Sequence, residues 1–221
     1  HVKKIKKEFD WGFPLIGYGL TETNGVGCGN MFHNYLAKPT STGPATKPLV
    51  EIGILDDEGN HVPQGERGEV CFRTIANFNG YWNNDAATEA AFTKDGFFRT
   101  GDIGYLDEDN YLFIVDRKKD IIIRGGENIS CPEVEAAAYE HDDIVELSVF
   151  GVADERYGEV PAMVYLAKEG SDMSPDKLRA YLSEKLAPFK VPAYFWQVHE
   201  PLPRLGTQKI DRVTLKRQYG E

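Results

Sequence analysis

The chain has 221 residues, a formal net charge of −10 at pH 7 and 41% hydrophobic residues. That mix is too apolar for a disordered chain, and the acid excess argues against nucleic-acid partners, whose binding surfaces carry a basic excess. No apolar run reaches the ~18 residues that span a membrane, so no transmembrane segment is expected.

The chain opens His1-Val2-Lys3-Lys4-Ile5-Lys6-Lys7. The lysines read as the solvated end of a helix. Asp10 and Pro14 interrupt the apolar residues that follow, so no signal-peptide core forms. A chain entering in mid-helix is expected to be part of a longer protein. Residues 16–29 then read as a Gly-rich loop. Val50–Leu55 reads as a strand closed by the turn Asp56–Asn60, and Gly68–Arg73 alternates like a half-buried strand. Asp85 is placed to cap a short helix, Ala86–Phe92. Ile103–Leu106 and Tyr111–Val115 flank the turn Asp107–Asn110, where Asn110 suits a left-handed position.

From about residue 117 strands and helices alternate. A strand at Asp120–Ile123 ends at Arg124-Gly125-Gly126, and Pro132 opens a helix that runs to Tyr139. Ile144–Val152 and Ala162–Leu166 read as apolar strands. Ser174 caps a helix that starts with Pro175 and carries Leu178, Tyr181, Leu182 and Leu186 on one face. A strand at Ala193–Val198, an irregular loop after Pro201-Leu202-Pro203 and a final helix near Val213–Gln218 complete the chain. The expected fold class is α+β, with a strand-rich, barrel-like part over 1–116 and a small α+β domain over 117–221.

Three cysteines, Cys28, Cys71 and Cys131, form no CxxC pair and read as reduced thiols of a cytoplasmic protein. The five histidines are too scattered for a metal site. Four segments carry candidate chemistry. In Gly17-Tyr18-Gly19-Leu20-Thr21-Glu22 the glycines admit a ligand close to backbone, and Tyr18 offers an aromatic face for a purine. Thr21 offers a hydroxyl to a phosphate, and Glu22 an oxygen to a hard cation such as Mg2+. Gly25, Gly27 and Gly29 do not make a dinucleotide fingerprint, because no amphipathic helix follows them. In Thr100-Gly101-Asp102 the acid, read at a strand-edge turn, can accept from ribose hydroxyls. Arg117, Lys118, Lys119 and Arg124 flank a short strand before Gly125-Gly126-Glu127-Asn128, where charge and bare N–H groups can hold phosphate. In Arg204-Leu205-Gly206-Thr207-Gln208-Lys209-Ile210-Asp211-Arg212 a lysine in a small-residue loop can deliver a point charge. Each pattern alone is better served by a packed tyrosine, a plain turn or a solvated face.

Together and in this order, Tyr-Gly-Leu-Thr-Glu, Thr-Gly-Asp, Asp-Arg-x-x-Asp with Gly-Glu-Asn-Ile, and Lys-Ile-Asp-Arg resemble the adenylate-forming superfamily, and most nearly its acyl-CoA synthetases. The resemblance covers nearly the whole chain. It implies that a carboxylic acid attacks the α-phosphate of Mg2+·ATP, and that coenzyme A then displaces AMP to give a thioester. It implies that Tyr18 stacks on adenine beside Gly17 and Gly19, Thr21 contacts phosphate and Glu22 helps hold Mg2+. Asp102 and Arg117 would take the ribose hydroxyls. Lys209 would be the catalytic lysine, and Lys119 the hinge about which the small domain turns. Gly125, Gly126 and Asn128 would approach coenzyme A.

Two positions depart from the family pattern: Gln208 replaces the glycine usual before the lysine, and Leu205 a threonine. The family's upstream phosphate loop is absent from the sequence, so the chain is expected to be the tail of the large AMP-binding domain plus the small C-terminal domain. Alone it is expected to be inactive. Family members line their acyl tunnel where Gly25, Gly27 and Gly29 lie, which implies room for a medium- or long-chain fatty acid. The alternatives are an adenylation enzyme that loads a carrier-protein pantetheine and a non-catalytic nucleotide- or CoA-binding module. No carrier-like serine segment follows Lys209, which favours free coenzyme A. A Rossmann oxidoreductase would need a βαβ unit around Gly17–Gly29 that the sequence lacks. An oligomer is compatible with everything above.

Overall fold

The computed structural model describes Lys7 and residues 12–220; the expected helix end over the first lysines lies outside the described residues. The chain divides into two compact units, His1–Lys118 and Lys119–Glu221. The architecture is mixed α+β. No described helix is long and apolar enough to cross a membrane.

In the first unit, β1 (Leu15–Gly19) and β2 (Gly27–Met31) pair antiparallel, so the expected Gly-rich loop is a hairpin. Gly17 faces Gly29 and Gly19 faces Gly27 across it. The periodicity was hidden because glycines occupy the positions where strand side chains would alternate. A Cβ on Gly27 would overlap the Tyr18 carbonyl oxygen and lie 3.0 Å from Phe72, so close backbone packing accounts for that glycine. A short helix, α1 (Phe32–Ala37), follows.

Four strands, β3 (Val50–Leu55), β4 (Gly68–Thr74), β5 (Phe98–Leu106) and β6 (Leu112–Arg117), pair antiparallel in chain order. Val70 and Phe72 on β4 pack with Val50, Ile54, Cys28 and Leu112 in one core, while Cys71 joins Leu55 and Phe97 in another. Alternation along β4 thus serves two buried clusters. Asn110 takes the left-handed conformation expected of it, with φ 61°. Helix α2 (Asp85–Ala90) is capped by Asn84, whose side chain accepts from the Ala87 N–H at 3.1 Å, and not by Asp85. The cap is one residue earlier because Asp85 already lies in the first helical turn.

In the second unit, β7 (Ile122–Arg124) and β8 (Glu127–Ile129) form a tight hairpin. After α3 (Cys131–Tyr139), β9 (Ile144–Asp154) and β10 (Gly158–Ala167) make the long central pair. Helix α4 (Pro175–Ser183), capped by Ser174 as expected, leads to β11 (Tyr194–Val198), which joins β10 in parallel. Met163 and Tyr165 face a core built with α3 and α4, including Val134, Leu178 and Leu182. Ala162 and Val164 face the other core, with Leu202 and Leu215 of α5 (Arg212–Tyr219). A sheet buried on both faces explains why β9 and β10 read as unbroken apolar runs.

Candidate active site

In the first unit the β1–β2 hairpin and the four-stranded sheet bring together three of the singled-out residues. Asp102 on β5 and Arg117 on β6 are register partners, with Arg117 Nε 3.7 Å from Asp102 Oδ1. The Tyr18 hydroxyl donates to Asp102 Oδ2 at 2.5 Å, although 84 residues separate them. The Tyr18 ring meets Phe72 edge-on at 5.6 Å. Burial, reinforced by the Asp102 carboxylate, pushes the Tyr18 hydroxyl well above its ordinary range, so it stays a neutral donor. Arg117 remains half exposed and Asp102 nearly buried. The result is an aromatic ring, a carboxylate and a guanidinium converging from three strands.

Thr100-Gly101-Asp102 is not a strand-edge turn. It lies inside β5, in a bulge between the pairs Cys71↔Arg99 and Glu69↔Ile103. Gly101 has φ +74°, where a side chain would be strained. The Thr100 hydroxyl donates to the Val70 carbonyl at 2.7 Å and accepts from the Asp102 N–H at 3.1 Å. The motif's threonine and glycine therefore shape the bulge that presents the acid.

Thr21 and Glu22 sit in the 3-10 turn Thr21–Thr23 that leaves β1. The segment after β4 packs on this turn: the Phe78 N–H donates to the Glu22 carbonyl at 2.7 Å, and Asn24 Nδ2 to the Ala76 carbonyl at 2.8 Å. The Tyr81 hydroxyl donates to Glu22 Oε1 at 3.0 Å. Sequence reasoning missed Tyr81, because nothing in its local pattern points 59 residues back. Among the described residues no group of three or more potential metal ligands gathers. A single carboxylate fits Mg2+, which keeps several waters and takes substrate phosphates.

In the second unit, Gly125 and Gly126 both have positive φ, 60° and 90°, and form the two-residue turn between β7 and β8. The Gly125 N–H donates to the Tyr157 carbonyl at 2.7 Å, while a Cβ on Gly126 would meet nothing within 4 Å. Asn128 is exposed on β8. Lys119 lies in the 3-10 turn Lys118–Asp120, the first residue of its unit. Lys118, counted among the phosphate-binding candidates, is already committed within its own unit to Asp57 at 2.6 Å and Glu69 at 3.2 Å.

Lys209 is exposed, in a loop more ordered than the irregular segment expected. Arg204 and Ile210 bridge antiparallel, Leu205 N–H donates to the Lys209 carbonyl at 2.8 Å, and Gln208 N–H to the Leu205 carbonyl at 2.8 Å. Gln208 has φ +66°. This is a three-residue hairpin loop ending in a left-handed residue, the place glycine fills best. Two acids anchor it. Glu146 accepts from the Leu202 N–H at 2.8 Å and pairs with Arg204, which in turn donates to the Gln208 carbonyl at 2.7 Å. Asp211 caps α5, accepting from the Thr214 N–H at 3.1 Å. Arg212 pairs with Asp120 at 3.1 Å and Glu135 at 2.8 Å. The Lys-Ile-Asp-Arg motif is thus one lysine on a scaffold made by its neighbours.

Two family models match the chain: "AMP-binding enzyme" over residues 2–82 and "AMP-binding enzyme C-terminal domain" over residues 133–209. The chain belongs to the AMP-binding, adenylate-forming enzyme family. Among curated members, a 2-succinylbenzoate–CoA ligase of Geobacillus kaustophilus is 42% identical, over 93% of this chain and 41% of its own length. A long-chain-fatty-acid–CoA ligase of Bacillus subtilis is 37% identical, over 99% of this chain and 39% of its own. The crystal structure of ATP-bound MatB from Rhodopseudomonas palustris superposes with a TM-score of 0.85 at 31% identity, over 94% of this chain and 41% of that one. The o-succinylbenzoate CoA synthetase of Bacillus subtilis, solved with its acyl-adenylate intermediate, gives a TM-score of 0.86 at 33% identity, over 96% of this chain and 43% of that one. This family member therefore spans about two-fifths of the length of the relatives it matches.

Proposed function

We propose that these residues are the nucleotide-holding and thioester-forming part of an AMP-forming acid–CoA ligase. In the first step a substrate carboxylate oxygen attacks the α-phosphorus of ATP, and pyrophosphate leaves. In the second, the thiol of coenzyme A attacks the acyl carbon, AMP leaves, and the thiol proton passes to solvent. Tyr18 stacks on adenine with Gly17 and Gly19 alongside, Asp102 and Arg117 hold the ribose hydroxyls, and Thr21 contacts phosphate. Glu22, oriented by Tyr81, would help hold Mg2+, and the ion would neutralise phosphate charge. Lys209 bridges the carboxylate and α-phosphate oxygens as negative charge builds between them, the kind of stabilisation that contributes most to such transfers. Lys119 is the pivot between the two steps, and Gly125, Gly126 and Asn128 line the path of the thiol.

The observation that carries this reading is the convergence of Tyr18, Asp102 and Arg117, an aromatic ring and a charged pair suited to a nucleoside. Relatives named for succinylbenzoate and long-chain fatty acids support a carboxylic acid as substrate. The small Gly25 and Gly29 positions lean towards a fatty acid, since a Cβ there would meet little or nothing. The test is pyrophosphate release by the complete enzyme with a panel of fatty acids, 2-succinylbenzoate and oxalate, with and without coenzyme A, for wild type and Lys209→Ala. Acid-dependent release that collapses in the variant, with acyl-CoA formed only when CoA is present, is the expected result. Release without acyl-CoA would move the acceptor to a carrier-bound pantetheine. No release with any acid would leave a binding module.

A further inference from the structure

Glu69 is a buried carboxylate beside the nucleotide candidates, with 5% of its surface accessible. It stands against the bulge of β5 and belongs to none of the four candidate segments. Its Oε1 accepts from the Gly101 N–H at 3.2 Å, the residue just before Asp102. Its Oε2 accepts from Arg99 Nη1 at 2.8 Å and from Lys118 Nζ at 3.2 Å. Arg99 opens the bulge, and Lys118 directly follows Arg117. One buried carboxylate thus ties down the neighbours of both members of the Asp102–Arg117 pair. Lys118 also pairs with Asp57 at 2.6 Å, so the group carries two acids and two bases.

A buried carboxylate with three donors is costly to replace, because donors left behind lose a compensation for their burial. In Glu69→Gln one carboxylate oxygen gives way to an amide N–H₂, which would face groups that are all donors. One acceptor oxygen would then remain for three donors, so the Gly101 N–H, Arg99 and Lys118 could not all be held, and the bulge that keeps Gly101 at φ +74° would relax. Asp102 would keep its charge but lose its placement.

We propose that Glu69 is a positioning residue that fixes Asp102 and Arg117 in the geometry that reads ribose hydroxyls. This rests on the nucleotide assignment of the preceding section, and the test separates the two. AMP and 2′,3′-dideoxy-AMP are titrated calorimetrically against the complete enzyme, as wild type and as Glu69→Gln. Wild type is expected to prefer AMP roughly tenfold or more, as hydrogen bonds to charged groups do. In Glu69→Gln that preference is expected to fall at least about threefold while dideoxy-AMP affinity holds, because only hydroxyl recognition is displaced. An unchanged preference, or equal loss for both ligands, overturns the positioning role and leaves the nucleotide site standing. A wild type without any preference overturns the ribose assignment and Glu69's role with it. If Glu69→Gln does not fold, Lys118→Met removes one of the three donors at a half-exposed position. It is expected to lower the preference in the same sense, and no change there overturns the proposal.

Discussion

Replacing Gln208 by glycine is expected to stabilise the lysine loop. Gln208 holds φ +66°, a left-handed conformation that costs a residue with a Cβ about 1–2 kcal/mol. Its bonds run through the backbone: its N–H donates to the Leu205 carbonyl and its carbonyl accepts from Arg204. Both survive in Gln208→Gly. Against the relieved strain stands the greater freedom of glycine in the unfolded chain, about 0.4–1 kcal/mol. The difference is a gain of about 0.5–1 kcal/mol. For a unit the size of Lys119–Glu221 this corresponds to a rise of about 2–6 °C in the melting temperature. Differential scanning calorimetry of the chain reads it directly. Gln208→Val serves as the control, because a β-branched side chain fits the left-handed region worst and lowers the transition. A glycine variant that melts lower than wild type, or a valine variant that melts with it, would refute the reasoning.

Three further outcomes follow from particular contacts. Gly27→Ala places a methyl against the Tyr18 carbonyl and the Phe72 ring, and is expected to cost about 2–3 kcal/mol in urea unfolding; a change within the error of the fit would contradict the packing. Burial works against the charge of Glu146, but the Leu202 N–H and Arg204 outweigh it and hold the carboxyl below its ordinary range. Since the native group binds its proton less readily than the unfolded one, its stabilisation is full above about pH 4.3 and fades as the pH falls through the native value. The melting difference between wild type and Glu146→Gln should therefore shrink between about pH 6 and about pH 3.5, and a constant difference would refute the link. All three cysteines are buried, and burial pushes the Cys71 thiol up to about 12. Ellman's reagent at about pH 8 should label them quickly only after denaturation; fast labelling of native protein would place a thiol at the surface.

Much of the framework follows from local pattern. Pro132 and Ser174-Pro175 announce helix starts, and the apolar runs at Ile144 and Ala162 become β9 and β10, because these signals act within one turn or one strand. Asn110 reads correctly for the same reason. The candidate residues themselves were legible in their order along the chain: tyrosine, Thr-Glu, Thr-Gly-Asp, arginine and lysine. The β1–β2 hairpin was not, because glycine carries no side chain to alternate. Gln208 showed in sequence only as a departure, and its left-handed backbone gives that departure a physical cost.

What tertiary structure alone decides is which side chains share a site. Tyr18 meets Asp102 across 84 residues, and Tyr81 meets Glu22 across 59, through pairings that no local window contains. Glu69 looks like one more polar residue of an alternating strand until the bulge opposite it brings Gly101, Arg99 and Lys118 to its carboxylate. Sequence by itself determines the chemical inventory and the local elements, since those depend on neighbours along the chain. Strand register determines which donors a buried carboxylate meets, because that depends on neighbours in space.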